Sequence, residues 1–217
     1  LKPDYRPNGR SGGKGGEVDV TAEPSIRRGR PGYDRESLLR VAVEVFNDRG
    51  YDGTSMEDLA SRLGITKSAI YHHVPSKTEL LRLAVNRALD GLFAVVAEPG
   101  SSVGPATARL EHLVRRSVEV LVTELPFVTL LLRVRGNTEV ERSALARRRE
   151  FDLIVTDLAR QAIAEGGIRP DVDAAITARL LFGMVNSLIE WYRPDRGHDV
   201  HEIADAVVAV AFHGLRL

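Results

Sequence analysis

Residues Thr54 to Leu80, TSMEDLASRLGITKSAIYHHVPSKTEL, constrain the fold more than any other stretch of the chain. Thr54 and Glu57 have the spacing of a capping box, in which a hydroxyl caps a helix start and a carboxylate three residues on reaches back. Met56, Leu59, Ala60 and Leu63 then recur at helical spacing on one face. Gly64 supplies the positive φ of a tight turn, with Ile65 set to plug the angle between two helices. Thr66 caps a second short helix, Lys67 to His73, in which Ala69, Ile70 and Val74 can face inward. Pro75 ends it, because the residue before a proline is pushed out of the helical region. Ser76 and Glu79 repeat the box and open a third helix at Lys77. Two short helices about a glycine turn form a helix-turn-helix, whose second helix enters the major groove of DNA.

Lys67, Ser68, Tyr71 and His72 remain on the outward face of that second helix. Lys67 and Ser68 are placed to touch bases, and Tyr71 and His72 to touch phosphate or a thymine methyl. Thr66 stands at the same helix start. Lys77 lies at a helix N-terminus, where amides and dipole favour an anion, so phosphate binding is expected there. Thr54 or Ser55 is expected to clamp a second phosphate by the same logic.

The stretch LASRLGITKSAIYHHVPSKTELL closely resembles the recognition region of the tetracycline-repressor (TetR) family of bacterial regulators. The elements that carry the resemblance are Leu59-Ala60, Gly64, Thr66-Lys67-Ser68, Tyr71-His72-His73, and Ser76-Lys77 with Leu80. The preceding segment, Arg35 to Arg49, fits as well, with Leu38, Leu39, Ala42, Val43 and Phe46 on one face and Gly50-Tyr51 closing it. Beyond this region only length and helical layout are similar. The resemblance implies an all-α fold, a homodimer on a palindromic operator, and a divergent C-terminal domain that senses a small molecule.

The 30 basic and 30 acidic residues of the 217-residue chain balance to zero net charge, which suits a DNA binder only if the positive charge is local. Arg27, Arg28 and Arg30 supply such a footprint in a Gly/Pro-broken segment before the first helix, expected to act as an arm in the minor groove. We therefore divide the chain into a disordered tail over 1–24, a basic arm over 25–33, a helix-turn-helix domain over 34–80 and a ligand-binding and dimerisation domain over 81–217. The chain has no cysteine, so thiolate metal sites and disulfides are excluded. No apolar run approaches the roughly 20 residues of a membrane span, and the polar, Gly-rich start has no signal-peptide pattern. A cytoplasmic location without membrane contact is expected.

From Lys77 on the pattern is helical throughout, giving about nine helices in all, with breaks at Glu98–Pro105, Gly136-Asn137, Gly166-Gly167 and Arg193–Gly197. The helix opening near Asp171 and Asp173 carries Leu181, Val185, Leu188 and Tyr192 on one stripe. The last helix, capped by Asp199 and Glu202, carries Ile203, Val207 and Val210. Both are apolar on more than one face, and these residues are expected to form the dimer contact.

For the effector site the candidate lining is Leu113, Phe127, Leu131, Phe151, Phe182, Asn186 and Trp191, with Arg116 and Arg135 as charged groups. Other basic residues, including the run Arg147-Arg148-Arg149, suggest an apolar cavity rimmed by arginines. Such a cavity would suit a long acyl chain with a phosphorylated or carboxylate head, such as an acyl-coenzyme A. The segment Glu190-Trp191-Tyr192-Arg193-Pro194 resembles acyl-coenzyme-A-responsive family members. The expected mechanism is release from the operator when a ligand tilts the helix Lys77 to Ala97. An alternative is a ligand-independent architectural or accessory DNA-binding protein with a solid C-terminal domain. An enzyme is not expected, and no cofactor is called for. His198 and His201 could bind metal only at a loop-to-helix junction, and no phosphate loop or nucleophile elbow occurs.

Overall fold

A computed structural model of the chain describes residues 34–214, and the tail and basic arm, with Arg27, Arg28 and Arg30, lie outside them. The described residues form ten α-helices and no strand. The head comprises α1 (Arg35–Arg49), α2 (Met56–Leu63) and α3 (Lys67–His73). It is followed by α4 (Lys77–Ala97), α5 (Pro99–Ser102), α6 (Ala106–Thr123), α7 (Leu125–Arg133) and α8 (Glu139–Ala164). The chain continues with α9 (Ala174–Trp191), a 3₁₀ turn at Pro194–Arg196 and α10 (Val200–Val208), which runs into a π turn at Ala209–His213.

The helix count exceeds the expected nine because the break at Glu98–Pro105 is not a plain loop. Pro99 starts the single turn α5, and the buried Ser101 donates from its hydroxyl to the Val95 carbonyl at 2.7 Å. Proline at a helix start costs nothing, since the amide it lacks has no partner there.

The caps differ from expectation at α2, α4 and α9. Ser55, not Thr54, caps α2, and its box closes with Asp58 rather than Glu57. Thr54 is buried and donates to the Gly50 carbonyl at 2.8 Å, tying the α1–α2 turn together. At α4, Ser76 accepts from the Glu79 amide, while the Glu79 carboxylate pairs with Arg82 instead of reaching back. Asp173 alone caps α9, and Asp171 is held by Arg169. Asp199 and Glu202 close a full box on α10.

Gly64 adopts the left-handed conformation, φ 66°, that ends α2 and aims α3. Ile70 of α3 and Val74 just after it are buried in the same core as Leu59, Leu63 and Phe46. Truncating a residue such as Ile70 would cost about 2–5 kcal/mol through lost transfer and cavity terms.

In the larger body α6 is central, touching α4, α5, α7, α8, α9 and α10. Gly91 explains how α4 and α6 approach so closely: a Cβ there would lie 3.0 Å from the Val120 methyl. α4 touches α1 at its head end and α6, α7 and α8 further along, so it is shared by both bodies.

Candidate nucleic-acid interface and effector chamber

The helix-turn-helix presents an exposed face on α3 made of Lys67, Ser68, Tyr71 and His72, with Thr66 as its N-cap accepting from the Ala69 amide at 3.2 Å. Tyr71 is 46% exposed, which for a large aromatic leaves the ring available. Lys67 already has a partner: its ammonium donates to the Glu57 carboxylate across the α2–α3 angle. That bond holds Glu57 below the usual carboxylate range and raises the Lys67 ammonium. In the DNA-free chain Lys67 is thus engaged with Glu57 rather than free.

Lys77 does not project from the helix start as expected. Its Nζ donates to the carbonyls of Tyr51, at 2.8 Å, and Thr54, at 2.7 Å, and stands 4.2 Å from the centre of the Tyr51 ring. Tyr51 in turn packs edge-on against Phe46 and reaches the Thr78 hydroxyl at 3.1 Å. The ammonium thus fastens the α1–α2 turn to α4, and the carbonyls it satisfies are ones no helix uses. Ser55 is exposed at the start of α2, whereas Thr54 is turned inward.

The effector residues separate into two groups. Leu131, Phe151, Phe182 and Asn186 do line one interior chamber, together with Leu89, Leu121 and Ser117. Leu113 is core packing, and Phe127 lies beneath Arg87 near α1 rather than at the chamber. Arg116 is used internally: it donates to Glu98 at 3.0 Å and to Glu119. Arg135 lines a different space, a cleft of about 660 Å³ between the α1–α2 turn and the α7–α8 turn. Trp191 is 53% exposed and donates only a long 3.4 Å bond to Ser187.

The chamber adjoins an outer groove between α8 and α9 of about 630 Å³, the two sharing Arg148, Asp152, Phe182 and Asn186 as lining. Arg149 and Arg179 stand on the groove as well. Of the basic run, Arg147 alone turns away, to Asn86 at 3.2 Å and Asp90 at 2.8 Å on α4. Three arginines and one acid thus surround the mouth. Desolvation there raises the Asp152 carboxyl above the usual range, with Arg148 and Arg179 pulling it back, although solvent still reaches the side chain. Inside, the free space is about 40 Å³, enough for roughly three water molecules at about 15 Å³ each. That is too little for the long acyl chain expected from sequence. Arg179, Asp152 and Ser117 were not singled out in the sequence. Ser117 did leave a signal, a lone hydroxyl on the apolar stripe Leu110, Val114, Val118, Leu121.

The expected dimer stripe is mostly consumed within the protomer. Leu181, Val185, Leu188, Tyr192 and Ile203 are buried against the chain's own helices, Val207 is half-buried, and Val210 is exposed. The apolar residues that α9 turns outward are Ile176, Leu180 and Trp191. Helical periodicity placed them one face away from the stripe read from sequence.

A glycine-turned pair of short helices on a small head, joined by a shared helix to an all-α body with a chamber, defines a helix-turn-helix DNA-binding regulator. Residues 38–84 match the family of bacterial regulatory proteins of the tetR type, and residues 103–215, over half the chain, match the tetracyclin repressor-like C-terminal domain. The chain belongs to the TetR family of transcriptional regulators.

Among solved structures it is 58% identical to SCO3833, a TetR-family member from Streptomyces coelicolor, with a TM-score of 0.79 over 83% of this chain and 91% of that one. The transcriptional repressor KstR2 of Mycobacterium tuberculosis is 27% identical over 191 residues, 83% of this chain and 92% of KstR2. AibR, solved with isovaleryl coenzyme A and operator DNA, is 29% identical with a TM-score of 0.69, covering 82% of this chain and 97% of AibR.

Proposed function

We propose that this chain is a repressor that binds a palindromic operator as a homodimer and is released by a compact acyl thioester of coenzyme A or a chemically similar anion. The observation that carries the reading is the mostly apolar chamber among α4, α6, α7, α8 and α9, adjoined by the groove between α8 and α9 that carries Arg148, Arg149 and Arg179. Phosphate or carboxylate groups fit the arginines, and a short apolar group fits the interior. A solid C-terminal body would have suited an architectural DNA binder instead. AibR, which binds isovaleryl coenzyme A, supports a short acyl group over a long one.

Lys67, Ser68, Tyr71 and His72 read the DNA, with Thr66 and Ser55 near phosphate and the arginines of the N-terminal arm in the adjacent minor groove. The protomers meet through the outward residues of α9, Ile176, Leu180 and Trp191, and through Val210 beyond α10. Two heads held by that contact read half-sites about one helical turn apart. The protein acts in the cytoplasm and performs no catalysis.

Isothermal titration of the intact protein with butyryl-, isovaleryl- and valeryl-coenzyme A tests the effector class, and anisotropy with operator DNA recovered from the genomic region around the gene tests release. Heat from at least one thioester, with loss of DNA binding at the same concentration, is the expected result. Absence of heat from every chain length removes the effector reading and leaves the DNA-binding assignment standing.

A further inference from the structure

Ser117 is fully buried in the middle of α6, and its hydroxyl has no hydrogen-bond partner in the protein. A serine inside a helix ordinarily bonds the carbonyl four residues back or turns to solvent, and here it does neither. Leaving a buried hydroxyl unpaired is costly, so such a group calls for an explanation. Ser117 lines the interior chamber among Leu89, Leu121, Leu131 and Phe151, all apolar. It is therefore a polar group at the apolar end of the binding space, well separated in character from the arginine mouth. Asn186 lines both the chamber and the outer groove, placing an amide at the passage between them.

We infer that the effector carries an oxygen function, a hydroxyl or ketone, on the part that enters the chamber, where it hydrogen-bonds Ser117. This deepens the proposed function and rests on it. The three tiers then match one molecule: anionic groups on Arg148, Arg149 and Arg179, the thioester carbonyl at Asn186, and an oxygenated acyl group against Ser117. A site built to bond a substrate hydroxyl or carbonyl rejects the analogue that lacks it, because its own polar group then stays unpaired. The narrowness of the chamber, about 40 Å³ of free space, adds to this by leaving little room for an unsubstituted chain to be accompanied by water.

The test uses the intact protein and three matched pairs titrated calorimetrically: butyryl with acetoacetyl, isovaleryl with 3-hydroxyisovaleryl, and valeryl with 4-oxovaleryl coenzyme A. The oxygenated member of at least one pair should bind tenfold or more tightly, about 1.4 kcal/mol. Ser117→Ala should erase that preference, bringing the two members of the pair to the same affinity. Equal affinity within all three pairs overturns the inference while the coenzyme A reading survives. No binding by any of the six sinks both. Thermal melting of the ligand-free proteins gives an independent check. Ser117→Ala should melt at the same temperature as the native chain or higher, since it removes an unpaired hydroxyl and adds a better helix former. A clear fall in melting temperature would show that the hydroxyl is already satisfied within the protein, which also overturns the inference.

Discussion

Arg87 of α4 lies 4.3 Å from the centre of the Phe127 ring in α7, with its guanidinium bonded to Glu124 at 2.8 Å and also to Glu36 of α1. One side chain thereby joins the first helix of the head, the shared helix and the junction of α6 and α7. Glu36 is held below the usual carboxylate range chiefly by this arginine. The pair with Glu124 is largely shielded from solvent, so it is worth more than an exposed ion pair.

Replacing Arg87 with methionine keeps the stem on Phe127 and removes the charge from between two carboxylates. We expect a loss of about 1–2 kcal/mol, a drop of roughly 2–8 °C in melting temperature, and weaker coupling between effector and operator. Differential scanning calorimetry, with operator titrations with and without effector, reads both effects.

Lys77→Ala should destabilise the head rather than delete a single phosphate contact. Its ammonium satisfies the Tyr51 and Thr54 carbonyls, which would lose that partner. Expected is a lower melting temperature and weaker binding to every DNA sequence alike. A change of about one in the salt slope with an unchanged melting temperature would instead identify a direct phosphate contact.

Glu57→Gln should strengthen DNA binding by about 1.5- to 5-fold, the range of an exposed ion pair no longer competing for Lys67. Lys67→Ala should act in the opposite sense and selectively, costing about 1–3 kcal/mol at the base pair it contacts and relaxing preference there. Fluorescence anisotropy on operator and single-substituted duplexes separates the two.

Effector affinity should rise as the pH is lowered from neutral toward the raised titration range of Asp152. The carboxylate repels an anionic head group and its protonated form does not, so anion binding takes up a proton. Asp152→Asn should bind more tightly at neutral pH and flatten the profile. Titration calorimetry in two buffers of different ionisation heat measures the proton directly.

The head was legible in the sequence because its signals are local. Gly64, the cap Thr66 and the stopping Pro75 each act within a turn of their own position, and the spacing of Met56, Leu59, Ala60 and Leu63 fixes the inner face. Adjacent hydroxyls defeated the same reasoning at Thr54 and Ser55. Both can cap, and the choice fell to Thr54's bond back to the Gly50 carbonyl four residues earlier, which composition does not announce. Lys77 failed for a similar reason, since its acceptors lie 23 and 26 residues away. In the C-terminal body, α9 is apolar nearly all round, so periodicity could not say which face meets the core. The chamber was half legible: Leu131, Phe151, Phe182 and Asn186 come together only through the packing of α7, α8 and α9.

The polar attachments of α4 at Lys77, Arg87 and Asp90 also set a mechanical ratio. Lys77 and Arg87 are ten residues apart, about 15 Å along the axis at 1.5 Å per residue, so a rotation of about 4° about Arg87 sweeps the Lys77 end through about 1 Å. On the far side of that pivot, Asp90 is tied to Arg147, the neighbour in sequence of the arginine at the chamber mouth. Base-edge contacts tolerate only about 0.5 Å of misplacement. An angular change too small to alter the outline of the body is thus enough to put both heads out of step with the groove, and the amplification is set by the distance along α4 from Arg87 to Lys77.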